Sequence, residues 1–125
     1  MMLNMKKLSV VVCVRNEEER LEDCLKSVFL NEPDEVILVD GDSTDRTLEI
    51  ARKFPAVQVI STKKSSLTRD RQIGIDATKN DLIAMIDADH RLKKGDLESL
   101  LQDMIDFDFD AIQSGLLAHE THGFW

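Results

Sequence analysis

Apolar residues along this chain form continuous runs that alternate with segments apolar on one side only. The run from Leu8 to Val14 is almost entirely β-branched and predicts a buried strand. The next apolar residues recur at helical spacing and predict a helix that Pro33 ends. These helical positions are Leu21, Cys24, Leu25, Val28 and Phe29.

The same alternation continues to the end of the chain. It predicts strands at Val36–Val39, Val57–Ile60, Leu82–Ile86 and Asp110–Leu117. Helical spacing predicts a second helix through Leu48, Ile50, Ala51 and Phe54, stopped by Pro55, and a third over Leu67–Thr78. A fourth helix is predicted through Leu97, Leu100, Leu101, Met104 and Ile105.

Short continuous strands that alternate with one-sided helices are typical of a mostly parallel sheet covered on both faces. We therefore expect an α/β, Rossmann-like fold, with residues 1–125 forming a single domain. In such sheets ligands bind beyond the carboxyl ends of the strands.

The net charge of the chain excludes some classes of ligand. The formal net charge of −8 argues against nucleic acid or an anionic membrane as a general partner, so an anionic ligand needs a local cation. No run approaches the roughly 20 apolar residues that span a bilayer. We expect a cytoplasmic protein with reduced cysteines, and peripheral membrane association through another segment stays open.

Polar residues follow three of the predicted strands directly. They are Arg15-Asn16-Glu17 after the first, Asp40 to Asp45 after the second, and Asp87-Ala88-Asp89 after the fourth. Because parallel strands bring their carboxyl ends to one edge, these side chains are expected to converge on one crevice.

Asp87 and Asp89 are candidate metal ligands. One residue separates them, so in an extended segment both carboxylates point to the same side. Oxygen ligands suit Mg²⁺ or Mn²⁺, whose remaining positions diphosphate oxygens can fill. The alternative is a pair of solvated loop carboxylates, but the position at the end of a strand favours the metal site.

Asp40 precedes Gly41, so its carboxylate is a candidate acceptor for a base N–H or a ribose hydroxyl, with Asp42 as the second candidate. Ser43 and Asp45 are expected to cap the following helix. Arg71 is a candidate phosphate ligand, with a solvated or salt-bridged helix residue as the alternative.

Other titratable residues give weaker indications. His90 follows the acidic pair directly and is expected to contact the metal ligands without binding the metal itself. No serine or cysteine lies in a nucleophile motif.

Four motifs in order resemble the large inverting glycosyltransferase family 2 with the GT-A fold. They are Leu8 to Val12 through Arg15-Asn16-Glu17-Glu18, then Val39 to Asp45, then Arg71-Gln72-Ile73-Gly74, and finally Asp87-Ala88-Asp89. Cys13 stands where proline is common, and Gln72 stands where asparagine is usual.

The resemblance implies that Val14, Arg15, Asn16, Glu17 and Asp40 hold the nucleoside of a UDP- or GDP-sugar. It also implies that Arg71 belongs to the R-N-x-G motif and that Asp89 is the direct ligand of the metal in the D-x-D motif. A carboxylate then deprotonates the acceptor hydroxyl during direct displacement at the anomeric carbon. That base lies well after the D-x-D motif in the family, and nothing matches Glu120 to it.

Three functional hypotheses follow. The first is a metal-dependent glycosyltransferase, represented here by its donor-binding part. The second is a nucleotide-sugar-binding module without turnover. The third is a D-x-D phosphatase, which is disfavoured because its motif usually follows the first strand and here follows the fourth. An apolar patch around Phe124 and Trp125 is compatible with a homo-oligomer.

Overall fold

A computed structural model describes residues 7–63 and 66–113 of the chain. Four strands alternate with four helices, as the hydrophobic pattern predicts. In chain order they are β1 (Leu8–Val14), α1 (Leu21–Phe29), β2 (Glu35–Asp40), α2 (Thr47–Ala51), β3 (Val57–Ser61), α3 (Leu67–Ala77), β4 (Leu82–Asp87) and α4 (Asp96–Asp106).

Two predicted boundaries differ from the structure. Helix α2 ends at Ala51 because N–H groups after it bond to the carbonyl three residues back instead of four. The Phe54 N–H, for example, donates to Ala51 and not to Ile50. Residues 110–113 form no strand, and residues 114–117 of the predicted fifth strand lie outside the described residues. The predicted apolar patch at Phe124 and Trp125 also lies outside them.

The strands form one parallel sheet in the order β3-β2-β1-β4. Strand β1 is therefore flanked by β2 and β4. At its carboxyl end, Val14 pairs with Asp40 of β2 and Cys13 pairs with Asp87 of β4. The α/β, Rossmann-like prediction is confirmed, and the register brings the acidic ends of β2 and β4 to the same edge.

Alternate residues of β1 and β2 pack into two apolar layers. Val10, Val12 and Leu38 face one layer, which also contains buried residues of α1, α2 and α4. Val11 and Val39 face the other, against α3. A continuous apolar strand is explained by burial on both faces.

Gly74 allows α3 to approach the sheet closely. A Cβ at this position would lie 2.4 Å from Val11 Cγ1 and 3.2 Å from Val39 Cγ2. Among the helices that the structure describes, none is long and apolar enough to cross a membrane.

Candidate functional site

A cavity of about 410 Å³ opens at the carboxyl edge of the sheet. Residues from the ends of β1, β2 and β4 and from the first turns of α3 line it. They are Cys13, Val14, Arg15, Glu17, Gly41, Leu67, Asp70, Arg71, Asp87, Ala88 and Asp89. The three strand ends therefore meet at one cavity, but the predicted convergence of their polar side chains is seen only for those after β1 and β4, because Gly41 is the one residue of the β2 loop among the lining residues.

The end of β4 supplies the acidic part of the cavity. The Asp87 and Asp89 side chains are 52% and 59% exposed, whereas Ala88 between them is buried. One carboxylate oxygen of each aspartate and one ring nitrogen of His90 lie within 4.8 Å of one another. Carboxylates at this separation can share one divalent cation.

His90 is oriented by the same turn. Its Nδ1 accepts a hydrogen bond of 3.2 Å from the Asp87 N–H, so the neutral ring carries its proton on Nε2. Nε2 lies 3.8 Å from Asp89 Oδ1. Because Nδ1 is taken by this hydrogen bond, Nε2 is the ring nitrogen that faces Asp89, and the two carboxylates supply the oxygen ligands that Mg²⁺ or Mn²⁺ prefers.

Arg71 reaches the acidic turn from α3. Its Nη2 lies 3.5 Å from Asp87 Oδ1, and the two side chains are 44% and 52% exposed. An ion pair this exposed contributes little to stability. The guanidinium is thus held at the cavity while remaining free to pair with an anionic ligand.

The predicted nucleoside contacts divide into two groups. Val14, Arg15 and Glu17 line the cavity. Asn16 and Asp42 are exposed, both with left-handed backbone, with φ of 52° and 69°, and they are not among the lining residues.

Asn16 joins the β1–α1 loop to the β2–α2 loop. Its Oδ1 accepts the Thr44 N–H at 2.8 Å, and its own N–H donates to Ser43 Oγ at 2.9 Å. Thr47 makes the next link, because its buried Oγ1 accepts the Glu17 N–H at 2.9 Å. These bonds fix the loop that carries Arg15 and Glu17.

Asp45 completes this network at the start of α2. Its Oδ1 accepts both the N–H and the hydroxyl of Thr47, the first residue of α2. The N-cap position is Arg46, whose side chain makes no capping hydrogen bond, so the prediction that Ser43 and Asp45 cap this helix is wrong, and Ser43 bonds to the neighbouring loop. Burial opposes ionisation of Asp45, but the hydrogen bonds from Thr47 and from the Glu18 N–H outweigh it and lower the pKa of this carboxyl.

Asp40 ends β2 with its side chain turned into the protein. It is 1% exposed and does not line the cavity. Its Oδ2 accepts the Ser43 N–H at 3.1 Å, and Oδ1 has no partner in the described part of the chain. A direct contact between Asp40 and a nucleoside stays a prediction.

Asp70 lines the cavity but was missed by the sequence reasoning. It is 5% exposed, and its Oδ1 accepts the Thr62 hydroxyl at 3.0 Å. Spacing offered a signal: Asp70 and Gly74 share one helical face, which is buried, whereas Arg69 and Arg71 are exposed.

Two cysteines lie near the site as neutral thiols. Burial, followed by the charge of Asp70, raises the pKa of Cys13 to about 11. Burial also raises the pKa of Cys24 to about 11, and its Sγ lies 3.4 Å from the Asp87 carbonyl oxygen. Both are reduced, as predicted, and a thiol with so high a pKa is a poor nucleophile.

The sequence model of Glycosyl transferase family 2 matches residues 9–125. An uncharacterized glycosyltransferase of Rickettsia bellii is 38% identical over 104 residues, which cover 83% of this chain and 33% of that protein. Glycosyltransferase GlyG of Streptococcus pneumoniae is 32% identical over 114 residues, covering 84% of this chain and 37% of the relative. The chain thus spans about a third of the length of these relatives.

Solved structures share the fold. S. aureus TarS 1-349 in complex with UDP matches with a TM-score of 0.69 and 23% identity, over 80% of this chain and 32% of that one. Glucosyl-3-phosphoglycerate synthase from Mycobacterium tuberculosis, in complex with Mn²⁺, UDP and phosphoglyceric acid, matches with a TM-score of 0.66 and 24% identity. That match covers 80% of this chain and 39% of the synthase.

Proposed function

The chain belongs to glycosyl transferase family 2 and has the GT-A type of fold, and from this premise we propose that its cavity binds a UDP- or GDP-sugar through Mn²⁺ or Mg²⁺. The chain would then be the donor-binding part of a glycosyltransferase. The observation that carries this proposal is the meeting of Arg71, Asp87 and Asp89 in one cavity with the loops that follow β1 and β2.

The acidic turn fits a divalent cation by its donor chemistry. Asp89 and Asp87 offer exposed carboxylate oxygens that lie close together, and within the described residues Asp89 forms no ion pair with a lysine or arginine. When bound, the cation would neutralise the diphosphate and stabilise the charge that develops on the leaving group.

The protein groups around the acidic turn have separate roles in this proposal. Arg71 pairs with a phosphate oxygen, for which it exchanges part of its contact with Asp87. The backbone and side chains of Val14, Arg15 and Glu17 form the wall against the nucleoside. Asn16, Asp40 and Asp42 act on the nucleoside directly or through the loops that they hold.

The proposed reaction is transfer of the sugar to an acceptor hydroxyl by direct displacement at the anomeric carbon. The bond from the anomeric carbon to the acceptor oxygen forms as the bond to the diphosphate oxygen breaks, and a carboxylate takes the hydroxyl proton. Family membership argues against the D-x-D phosphatase.

Thermal shift of the purified chain tests donor binding. UDP or GDP with Mn²⁺ should raise the melting temperature by roughly 10 °C at about one hundred times Kd, because the ligand binds only the folded state. Asp89→Ala should abolish the metal-dependent part of the shift.

Asp81→Ala is the matched control, because Asp81 is an exposed aspartate immediately before β4, at the opposite end of the same strand. It should leave the nucleotide shift unchanged. Equal shifts for wild type and Asp89→Ala would refute the metal assignment.

Release of UDP or GDP from the sugar nucleotide separates an enzyme from a binding module. Metal-dependent hydrolysis or transfer by the chain supports the glycosyltransferase. Binding with no turnover supports the module.

A further inference from the structure

Asp70 is a buried carboxylate beside the cavity, and its Oδ2 accepts no hydrogen bond from the part of the chain that the structure describes. Only 5% of the residue is exposed, and Oδ1 is taken by the Thr62 hydroxyl. Within residues 7–63 and 66–113, no group donates a hydrogen bond to Oδ2, and no cationic side chain pairs with Asp70. A buried carboxylate in this state is stabilised by any ligand that supplies a donor.

Gly41 leaves Oδ2 accessible from the cavity. A Cβ at position 41 would lie 2.8 Å from Asp70 Oδ2, so any side chain there would occupy the space in front of this oxygen. The Gly41 N–H donates to the Val14 carbonyl at 2.9 Å, which fixes the backbone of this wall. Both Gly41 and Asp70 line the cavity.

The position of Asp70 relative to the acidic turn indicates which part of the donor it meets. Gly41 follows β2, whereas Asp87 ends β4, and β1 lies between these strands. Two strand spacings separate the two ends by about 10 Å. If the diphosphate binds at Asp87 and Asp89, the base is the part of the nucleotide that reaches the end of β2.

The charges that line the cavity favour the same orientation of the nucleotide. The Asp70 carboxylate repels phosphate, and of the two arginines that line the cavity, Arg71 pairs with Asp87 and Arg15 forms no ion pair with Asp70 in the described residues. Asp40, the acid that ends β2, is turned into its own loop. Of these two carboxylates, Asp70 is the one that a base in the cavity would meet.

We propose that Asp70 Oδ2 accepts a hydrogen bond from a ring N–H of the donor's base and makes Asp70 a specificity-determining residue. This assignment rests on the proposed donor-binding function. Uracil and guanine carry a ring N–H donor on the edge that pairs with other bases. Cytosine and adenine present an acceptor nitrogen there, which a carboxylate repels. The site therefore selects uridine or guanosine diphosphates.

Calorimetric titration of the wild-type chain in Mn²⁺ tests the proposal without any substitution. We expect UDP to bind about tenfold to one hundredfold more tightly than CDP, because an unpaired acceptor would replace a charge-assisted hydrogen bond. N3-methyl-UDP, which lacks the ring N–H, should lose affinity to a similar extent. 2′-Deoxy-UDP keeps the ring N–H, so it should still bind more tightly than N3-methyl-UDP.

The variant Asp70→Asn tests whether the Asp70 carboxylate is the group that distinguishes UDP from CDP. The amide oxygen can still accept from Thr62, so the fold is retained, and the amide NH₂ now faces the cavity. UDP affinity should fall about tenfold and CDP affinity should rise, so that the ratio of the two affinities approaches one.

Two matched variants complete the test. Asp76→Asn makes the same change at an exposed position of α3 and should leave the UDP-to-CDP ratio at the wild-type value. Asp40→Asn tests the rival carboxylate at the end of β2, because the proposal assigns the base contact to Asp70, which lines the cavity, and not to Asp40, which does not.

Each contrary result has a distinct meaning. Equal affinities for UDP, CDP and N3-methyl-UDP would overturn the role of Asp70 and leave donor binding intact. A ratio that survives Asp70→Asn but disappears in Asp40→Asn would overturn it in favour of Asp40. Absence of any UDP or GDP binding would overturn the proposed function and this assignment together.

Discussion

Two parts of the cavity are built in opposite ways. The tied loops, residues 15–18 and 40–47, are joined by hydrogen bonds whose central member, Thr47, is fully buried. The acidic turn, Asp87 to His90, carries two exposed carboxylates, and in the described residues the basic side chains within 4 Å of them are Arg71 and His90.

This difference separates a preorganised surface from an adjustable one. The tied loops keep one shape because their bonds are internal to the protein, which limits the entropy lost when a rigid base binds. The carboxylates of the acidic turn are half solvated, so they can exchange water and Arg71 for a cation and phosphate. Substitutions should therefore affect stability at the first region and ligand affinity at the second.

Gly74→Ala should have the largest effect, because α3 carries both Asp70 and Arg71 and so supports both regions. The new methyl group would lie 2.4 Å from Val11 Cγ1 and force the helix outward. We expect a loss of about 3 kcal/mol in the free energy of unfolding, measured by urea denaturation.

Two controls isolate this clash. Arg69→Ala, at an exposed position of the same helix, should cost less than about 0.5 kcal/mol. The double variant Gly74→Ala, Val11→Ala removes the clashing methyl groups and should be less destabilised than the sum of its single variants. Full stability of Gly74→Ala alone would contradict the close packing of α3.

Thr47→Val should loosen the tied loops while keeping the shape of the side chain. It leaves the Glu17 N–H without its acceptor and removes the hydroxyl donated to Asp45, at a cost of about 2 kcal/mol in unfolding free energy. Thr44→Val, in the same loop but exposed, is the control and should change little. If both variants unfold alike, the tied loops are not held by the buried hydroxyl.

Arg71→Gln should have the smallest effect on stability and a clear effect on ligand affinity. The exposed ion pair with Asp87 contributes less than about 1 kcal/mol, so the melting temperature without ligand should barely change. Affinity for UDP with Mn²⁺ should fall about tenfold through loss of one charged phosphate contact. A large drop in unliganded stability together with unchanged affinity would assign Arg71 a structural role.

The hydrophobic pattern along the chain predicted most of the strands and helices, and it predicted the acidic part of the candidate site. The β-branched run at Leu8–Val14 and the acidic pair Asp87 and Asp89 follow directly from burial and strand geometry. The end of α2 was misplaced because apolar Phe54 fits helical spacing and still packs on Phe29, with ring centroids 5.9 Å apart, outside the helix. Periodicity reports which residues are buried, and a turn can bury a residue as well as a helix can.

The orientation of individual carboxylates was not readable in this way. Asp40 and Asp70 are both buried acids near the end of β2, yet only Asp70 lines the cavity. That distinction depends on the Ser43 N–H drawing Asp40 into its loop and on Gly41 exposing Asp70. Both contacts join residues whose relative placement the spacing along the chain does not specify.

The sequence by itself determined the layered α/β sheet and the edge at which its acidic residues gather, because hydrophobic period and strand direction are local properties of the chain. Only the tertiary structure decided which of those residues face the cavity. Each carboxylate near this edge can accept hydrogen bonds from N–H groups of several loops. Which of these bonds forms depends on distances of a few ångströms between loops that are far apart in the sequence.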